Sequence, residues 1–336
     1  IIGILPSLEN GERKWNLNYD FNAELFNRFS NGENIQIKFR RLDLQDQQVY
    51  LSFDYPYLFK SNFGINTLFE LNFNNGISAD INALMGTSYL FTGNDVFKTS
   101  WNFKSSNLIN IDTNVIRISK KLPRQLDSRY NGLSFNFLMR KVNYRFNPSS
   151  GFEASTIINI GNRTINKNNQ ILKIQGFNNA YDSIQLQAFQ AELLLNSNIY
   201  FPLKKWAALK TSLYTAYKFT NGLEILNENF RIGGNKLLRG FNELSIYSDA
   251  YILFSTEFKV LLDKNSFLSL PFIDLARIHV FEETGETWKT AIGVGFGLNF
   301  STKAGIFNLS IAAGNQFKGG PDFSNTKVHF GYLNLF

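Results

Sequence analysis

Residues 62–73 read NFGINTLFELNF. Phe63, Ile65, Phe69, Leu71 and Phe73 fall on one side of an extended chain and Gly64, Asn66, Glu70 and Asn72 on the other, because successive strand side chains point to opposite faces. One face is greasy and the other wet. Residues 14–23, KWNLNYDFNA, keep the same beat, with Trp15, Leu17, Tyr19 and Phe21 against Asn16, Asn18, Asp20 and Asn22. About 16 such segments recur, near 1–8, 14–26, 33–42, 47–58, 62–74, 78–91, 95–107, 131–145, 150–162, 187–202, 206–219, 248–262, 266–280, 287–300, 304–317 and 326–336. The pattern predicts an all-β chain without helices.

A soluble sandwich also alternates, so strand length and loop parity decide the class. Soluble strands average about 5–6 residues, whereas these run to about 10–14, the length that a tilted membrane strand needs. Connections after even-numbered strands are short, as in FTGND (91–95), PLKK (202–205), DKNS (263–266) and STKA (301–304). The longest, around 108–130, 163–186 and 220–247, all fall in the other set. Short turns at one end and long loops at the other mark an outer-membrane barrel. The expectation is a single 16-stranded antiparallel transmembrane β-barrel over residues 1–336, with both termini periplasmic and the 220–247 loop folded inward from the extracellular side.

Composition agrees. The 336 residues include 34 Phe and 14 Tyr but 2 His and 2 Met. Cysteine is absent, which excludes disulfides, thiolate metal sites and thiol nucleophiles. His279 and His329 lack any serine, acid and oxyanion pattern around them, so no catalytic residue, metal site or cofactor is expected. A net charge of +7 without a block of like charges or zinc-ligand spacing points to a solvated basic face against anionic lipid, not to nucleic acid. No run of apolar residues is long enough for a transmembrane helix, and the opening IIGILPSLENGERKWNLNYD lacks a signal sequence, so it reads as mature protein or an excised domain.

A barrel of this size is too wide for its own side chains to fill. Residues 291–300, AIGVGFGLNF, place Gly293, Gly295 and Gly297 on one face, and interior strand glycines mark a close approach by another segment. Asp274, in LPFIDLARIH (270–279), is a carboxylate that needs a partner unless it is solvated in the lumen. The 230–244 stretch FRIGGNKLLRGFNEL offers one: Arg239, beside Gly233, Gly234, Gly240 and Phe241. The expectation is that this loop folds over the glycine face and Arg239 bonds Asp274, with Glu257 as the rival acceptor.

Several of these stretches together resemble the BamA/TamA superfamily of outer-membrane assembly factors, the bacterial surface antigen barrel. The residues are YPYLF (55–59), NPSSG (147–151), GGNKLLRGF (233–241), FIDLA (272–276) and the terminal Phe336, so the resemblance spans the chain. It implies that Arg239 contacts the acid of a Phe-x-Asp-x-Gly strand motif, here Asp274, with Ala276 in place of the glycine. Asn334 stands where the terminal signal of such barrels carries a second aromatic. The family's periplasmic POTRA domains have no counterpart in this chain, which begins at or just inside the first strand.

The resemblance implies an insertase in the outer membrane of a Gram-negative bacterium, opening a lateral gate between first and last strands to template client strands. Pro6, Gly331 and Phe336 would lie at that seam, and proline removes a ladder donor there. Implied partners are outer-membrane lipids and lipopolysaccharide, unfolded outer-membrane protein clients, and periplasmic or lipoprotein subunits. The alternatives are a POTRA-less translocation pore or scaffold working with a separate periplasmic partner, and a passive diffusion porin.

Overall fold

The computed structural model describes residues 2–9, 12–43, 46–74, 76–92, 95–144, 147–235, 237–282, 285–302, 305–317 and 319–333. The first strands are β1 (Ile2–Glu9), β2 (Glu12–Phe26), β3 (Asn34–Asp43), β4 (Asp46–Tyr55), β5 (Phe63–Asn74) and β6 (Ser78–Thr92). Next come β7 (Asp95–Leu108), β8 (Ser128–Val142), β9 (Gly151–Ile165), β10 (Gln187–Lys204) and β11 (Ala207–Thr220). A small separate hairpin, β12 (Phe230–Ile232) and β13 (Ile246–Ser248), precedes β14 (Ala250–Leu261), β15 (Phe267–Glu282), β16 (Gly285–Thr302), β17 (Gly305–Gly314) and β18 (Lys327–Leu333). All but β12 and β13 form one antiparallel 16-stranded sheet in chain order, with β11 pairing directly to β14.

Alternation sorts the faces as the sequence expects. On β5, Phe63 is 56% and Phe69 40% exposed while Asn66 is 7%; on β7, Trp101 is 51% exposed beside Asn102 at 2%. Large apolar side chains line the outside along the strands, far more than a water-facing surface tolerates. Polar groups pair inside, as where Asn66 Nδ2 donates to Ser100 Oγ at 2.8 Å. No described helix is long and apolar enough to cross a membrane, which says nothing about strands.

Connection lengths keep their parity. The long ones, 109–127, 166–186, 221–249 and 315–326, leave from one end, and nothing longer than 143–150 leaves from the other. Contrary to the helix-free reading, two short helices form in the long loops, α1 (Thr113–Ser119) and α2 (Asn169–Leu172). Each has a local cause: Asp112 accepts from the amides of Asn114 and Val115, and Asn168 from that of Gln170. Ile116, Leu126, Ile171, Phe177, Tyr181 and Ile225 pack into a small core that ties three of these loops together.

The opposite end is also fixed. Lys259 Nζ donates to Asn147 Oδ1 at 2.6 Å and to Pro148 O at 2.9 Å, and Asn147 Nδ2 donates to Asp263 O at 3.4 Å, so the NPSSG turn is fastened across the interior to the β14–β15 turn. The amides of Asn265 and Ser266 donate to the Asp263 carboxylate, and these bonds hold its pKa below the ordinary value. That contribution is present above the ordinary Asp pKa and is lost as pH falls through the lowered one.

The sheet curves so that distant strands meet one loop. Residues 221–249 touch β3, β4 and β5 on one wall and β14 to β17 on the other. β1 and β18 end the strand order, and no ladder joins them among the described residues. Pro6 lies opposite Trp15 on β2 and Gly331 opposite Asn308 on β17, whereas Phe336 lies outside the described residues.

Candidate functional site

The 221–249 loop enters through backbone shapes that few residues adopt. Gly233 and Gly234 have φ of +109° and +105°, Gly240 has +89°, and Leu238 is held at +61° with its side chain wholly buried. Leu238 packs with Ile232, Phe241, Tyr251, Leu253, Ala276 and Ile278. This apolar footing fixes the residue between Leu238 and Gly240, which is Arg239.

Arg239 makes four hydrogen bonds through its guanidinium. Nε donates to Asp274 Oδ2 at 2.9 Å and Nη2 to Asp274 Oδ1 at 2.7 Å, a bidentate pair; the Arg239 amide adds a bond to Oδ2 at 2.9 Å. Nη1 reaches Glu257 Oε2 at 3.2 Å and Nη2 also reaches Ser255 Oγ at 3.0 Å. Ser255 Oγ donates in turn to Asp274 Oδ1 at 2.6 Å, and Ser269 Oγ to Glu257 Oε1 at 2.5 Å. The guanidinium carbon lies 3.4 Å from the centroid of Phe272, a stacked cation–π contact on a fully buried ring. Asp274 and Glu257 are therefore joint acceptors, not rivals, and Lys210 stands opposite Glu257 in the ladder as a second cation.

The strand register explains the seat. Ser255, Asp274, Gly293 and Gly314 are successive cross-strand partners on β14, β15, β16 and β17. The loop lies along this row. A Cβ on Gly293 would stand 2.1 Å from Arg239 O, and one on Gly314 2.6 Å from Gly240 O. Phe241 closes the far end, its ring 5.6 Å from that of Phe317, and Gln316 Nε2 donates to Gly240 O at 3.0 Å.

The seat departs from the expected row of glycines along β16. Gly295 is required by Ile311 O and the Phe272 ring, at 2.1 and 2.7 Å from its would-be Cβ, and Gly297 has nothing nearer than 3.4 Å. A segment that crosses perpendicular to the strands meets one residue per strand, so Gly293 and Gly314 receive it and the other two do not. Gly314, Ser255 and the role of Phe272 carry no signal in local sequence.

The loop has a second anchorage. Arg231 Nη1 donates to Asn74 Oδ1 at 2.6 Å and Nη2 is 3.9 Å from Asp46 Oδ2, while Glu243 Oε1 accepts from Arg40 Nη2 at 3.3 Å. Asn235 reaches the other way, donating to Asn308 Oδ1 and accepting from Ser310 Oγ, both at 2.8 Å. Beside the lock a cavity of 550 Å³ is lined by Lys210, Tyr214, Asn235, Arg239, Asn308 and others. Arg231→Ala is expected to lower stability by under about 1 kcal/mol, because its charged partner is distant and partly solvated. Urea titration in detergent micelles checks it, and a larger loss would make this anchor the principal one.

A family model described as the Omp85 superfamily domain matches residues 27–332. The chain belongs to the Omp85 superfamily. Solved structures agree on the fold of this Omp85 chain. BamA from Haemophilus ducreyi lacking POTRA domains 1–3 matches with TM-score 0.63 at 17% identity, over 98% of this chain and 74% of that one. CdiB from Acinetobacter baumannii matches at 0.58 and 11% identity, and CdiB from Escherichia coli at 0.59 and 12%, each over 98% of this chain. The Omp85 chain spans 64% and 66% of those two, respectively. A comparison with curated protein sequences finds no match. As an Omp85 member, the chain is an outer-membrane barrel protein, and its arginine-bearing loop sits against the inner wall.

Proposed function

We propose that this chain is the barrel of an outer-membrane assembly factor, which parts between β1 and β18 and templates client strands on the exposed edge. The observation that carries the reading is a loop that crosses the interior and is bonded to both walls, which favours the sheet edges over an open pore as the working surface. The edges suit the task. β1 contains Pro6, which offers no ladder donor. A terminal strand lacking a donor makes a weak closing seam, and edge strands present unpaired backbone groups for augmentation. The long loops then face outward and both termini face the periplasm, where client proteins and accessory subunits are met. His279 Nδ1 lies 2.7 Å from Asp249 Oδ1 and stacks near Trp288, a structural pair, and the chain works without enzymatic chemistry.

The lack of native cysteine makes the test clean. One cysteine in β1 and one in β18, scanned over several pairings, give a single disulfide across the seam. Oxidation is expected to stop assembly of a client barrel into liposomes, and reduction to restore it. Full activity with the seam quantitatively bridged would sink the templating reading in favour of a translocation pore. Steady high conductance of the unmodified protein in planar bilayers would favour a porin instead.

A further inference from the structure

The outer mouth holds a cavity that the interior lock does not use. Its volume is 1190 Å³, and it lies among the loops 109–127, 166–186 and 221–249 and the end of the β15–β16 hairpin. Arg117, Lys120, Lys121 and Arg124 line one side. Among the described residues, Arg117, Lys120 and Lys121 have no acidic partner. Two acids, Glu224 and Glu286, also line it, and basic groups stand near both. Glu224 Oε2 pairs with Lys218 Nζ at 2.9 Å, and Glu286 Oε2 faces His279 Nε2 at 3.9 Å.

The floor adds a further cation. Gly222 lines the cavity, and a Cβ there would stand 2.9 Å from Nη2 of Arg163, a side chain with no solvent exposure. Arg163 Nη2 donates to Thr220 Oγ1 at 3.4 Å, and its Nε and Nη1 make no hydrogen bond to the protein. Among the described residues this buried guanidinium has no carboxylate partner, and it adds positive potential just behind Gly222 of the lining. A recess in which four basic side chains outnumber two acidic ones concentrates counter-charged ligands. Its volume slightly exceeds the usual range of about 300–1,000 Å³ for small-molecule sites, which suits a saccharide better than a lone ion.

We propose that this cavity binds a phosphorylated saccharide, with Arg117, Lys120 and Lys121 contacting its phosphates. Arg117 in the last turn of α1, with Lys120 and Lys121 directly after it, presents one guanidinium and two ammonium groups, enough donors for more than one phosphate. The source is either the headgroup of a phosphorylated glycolipid or a free soluble phosphate. The inference rests on the assembly reading only for which way the mouth faces.

The test is calorimetric titration of the full chain with two probes: inorganic tripolyphosphate, and nanodiscs carrying a lipid with a bisphosphorylated glucosamine-disaccharide headgroup. The dephosphorylated lipid is the control. The side chains of Arg117, Lys120 and Lys121 are exposed, so the R117Q/K120Q/K121Q variant is expected to fold and to show unchanged heat-modifiability on gels. It is expected to bind about 30-fold more weakly or worse, as loss of several charge-assisted contacts implies. Binding of tripolyphosphate with that loss supports the site with free phosphate sufficient. Binding of the nanodisc lipid alone, with the same loss, identifies the headgroup as the source. No binding of either probe, equal binding of the dephosphorylated lipid, or undiminished binding by the variant overturns the proposal. None of these results touches the seam disulfide experiment, so the two readings fail separately.

Discussion

Arg239→Ala is expected to destabilise the barrel by about 3–5 kcal/mol, because it leaves the buried Asp274 carboxylate without its cation and Glu257 with only Lys210 opposite it. Asp274 is 2% and Glu257 7% exposed, so neither carboxylate is well solvated in place. The remaining donors, Ser255 Oγ and Ser269 Oγ, are neutral hydroxyls. Arg239→Lys should recover only part of the loss, since an ammonium cannot span both Asp274 oxygens and lie flat on Phe272. The Arg239→Ala/Asp274→Ala double variant should lose much less than the sum of the single variants, the mark of a directly coupled pair. Denaturant unfolding in detergent and heat-modifiability on gels measure all three. Additive losses would show that the pair does not act as a unit.

Gly293→Ala should unseat the loop by the addition of a single methyl group. Its Cβ would stand 2.1 Å from the Arg239 carbonyl oxygen, on a strand too well paired to retreat, so the loop must lift from its seat. Overpacking of this kind costs about 1–3 kcal/mol, and lifting Arg239 adds the partial loss of its bonds to Asp274. Gly314→Ala acts at the neighbouring position of the same row, 2.6 Å from Gly240 O, and should behave alike. Gly297→Ala is the internal control. Nothing stands within 3.4 Å of its new methyl, so it should change stability by less than about 0.5 kcal/mol. If Gly297→Ala proved as harmful as Gly293→Ala, the glycines of β16 would serve strand geometry and not the loop.

Much of this architecture is legible in the chain itself, and the reason is physical. A strand with lipid on one side and a polar interior on the other must alternate over its whole length, so Phe63 to Phe73 announce both element and face. Arg239 and Asp274 are legible as a pair because each is costly in place without the other. What escapes notice depends on register. Ser255, Gly293 and Gly314 become neighbours only once the β14 to β17 ladders are set, and no periodicity within one strand marks a row that runs across four. Arg231 and Asn74, 157 positions apart, meet for the same reason. Helices α1 and α2 fall below the length at which a helical period shows, although Asp112 and Asn168 at their starts are local cues that a reader of caps would find.

The double anchorage of the 221–249 loop makes it a gauge of the sheet's two ends. It holds Arg40 on β3, two strands from one edge, and Asn308 and Ser310 on β17, one strand from the other. In the proposed parting of first and last strands, a displacement that reaches β3 or β17 changes the distance between these holdings, so the loop yields slack or releases a grip. By reciprocity, a ligand or mutation that loosens one grip shifts the balance between joined and parted edges by the same free energy that parting subtracts from the grip. On the proposed function, a segment buried in the middle of the protein acts as the governor of its rim.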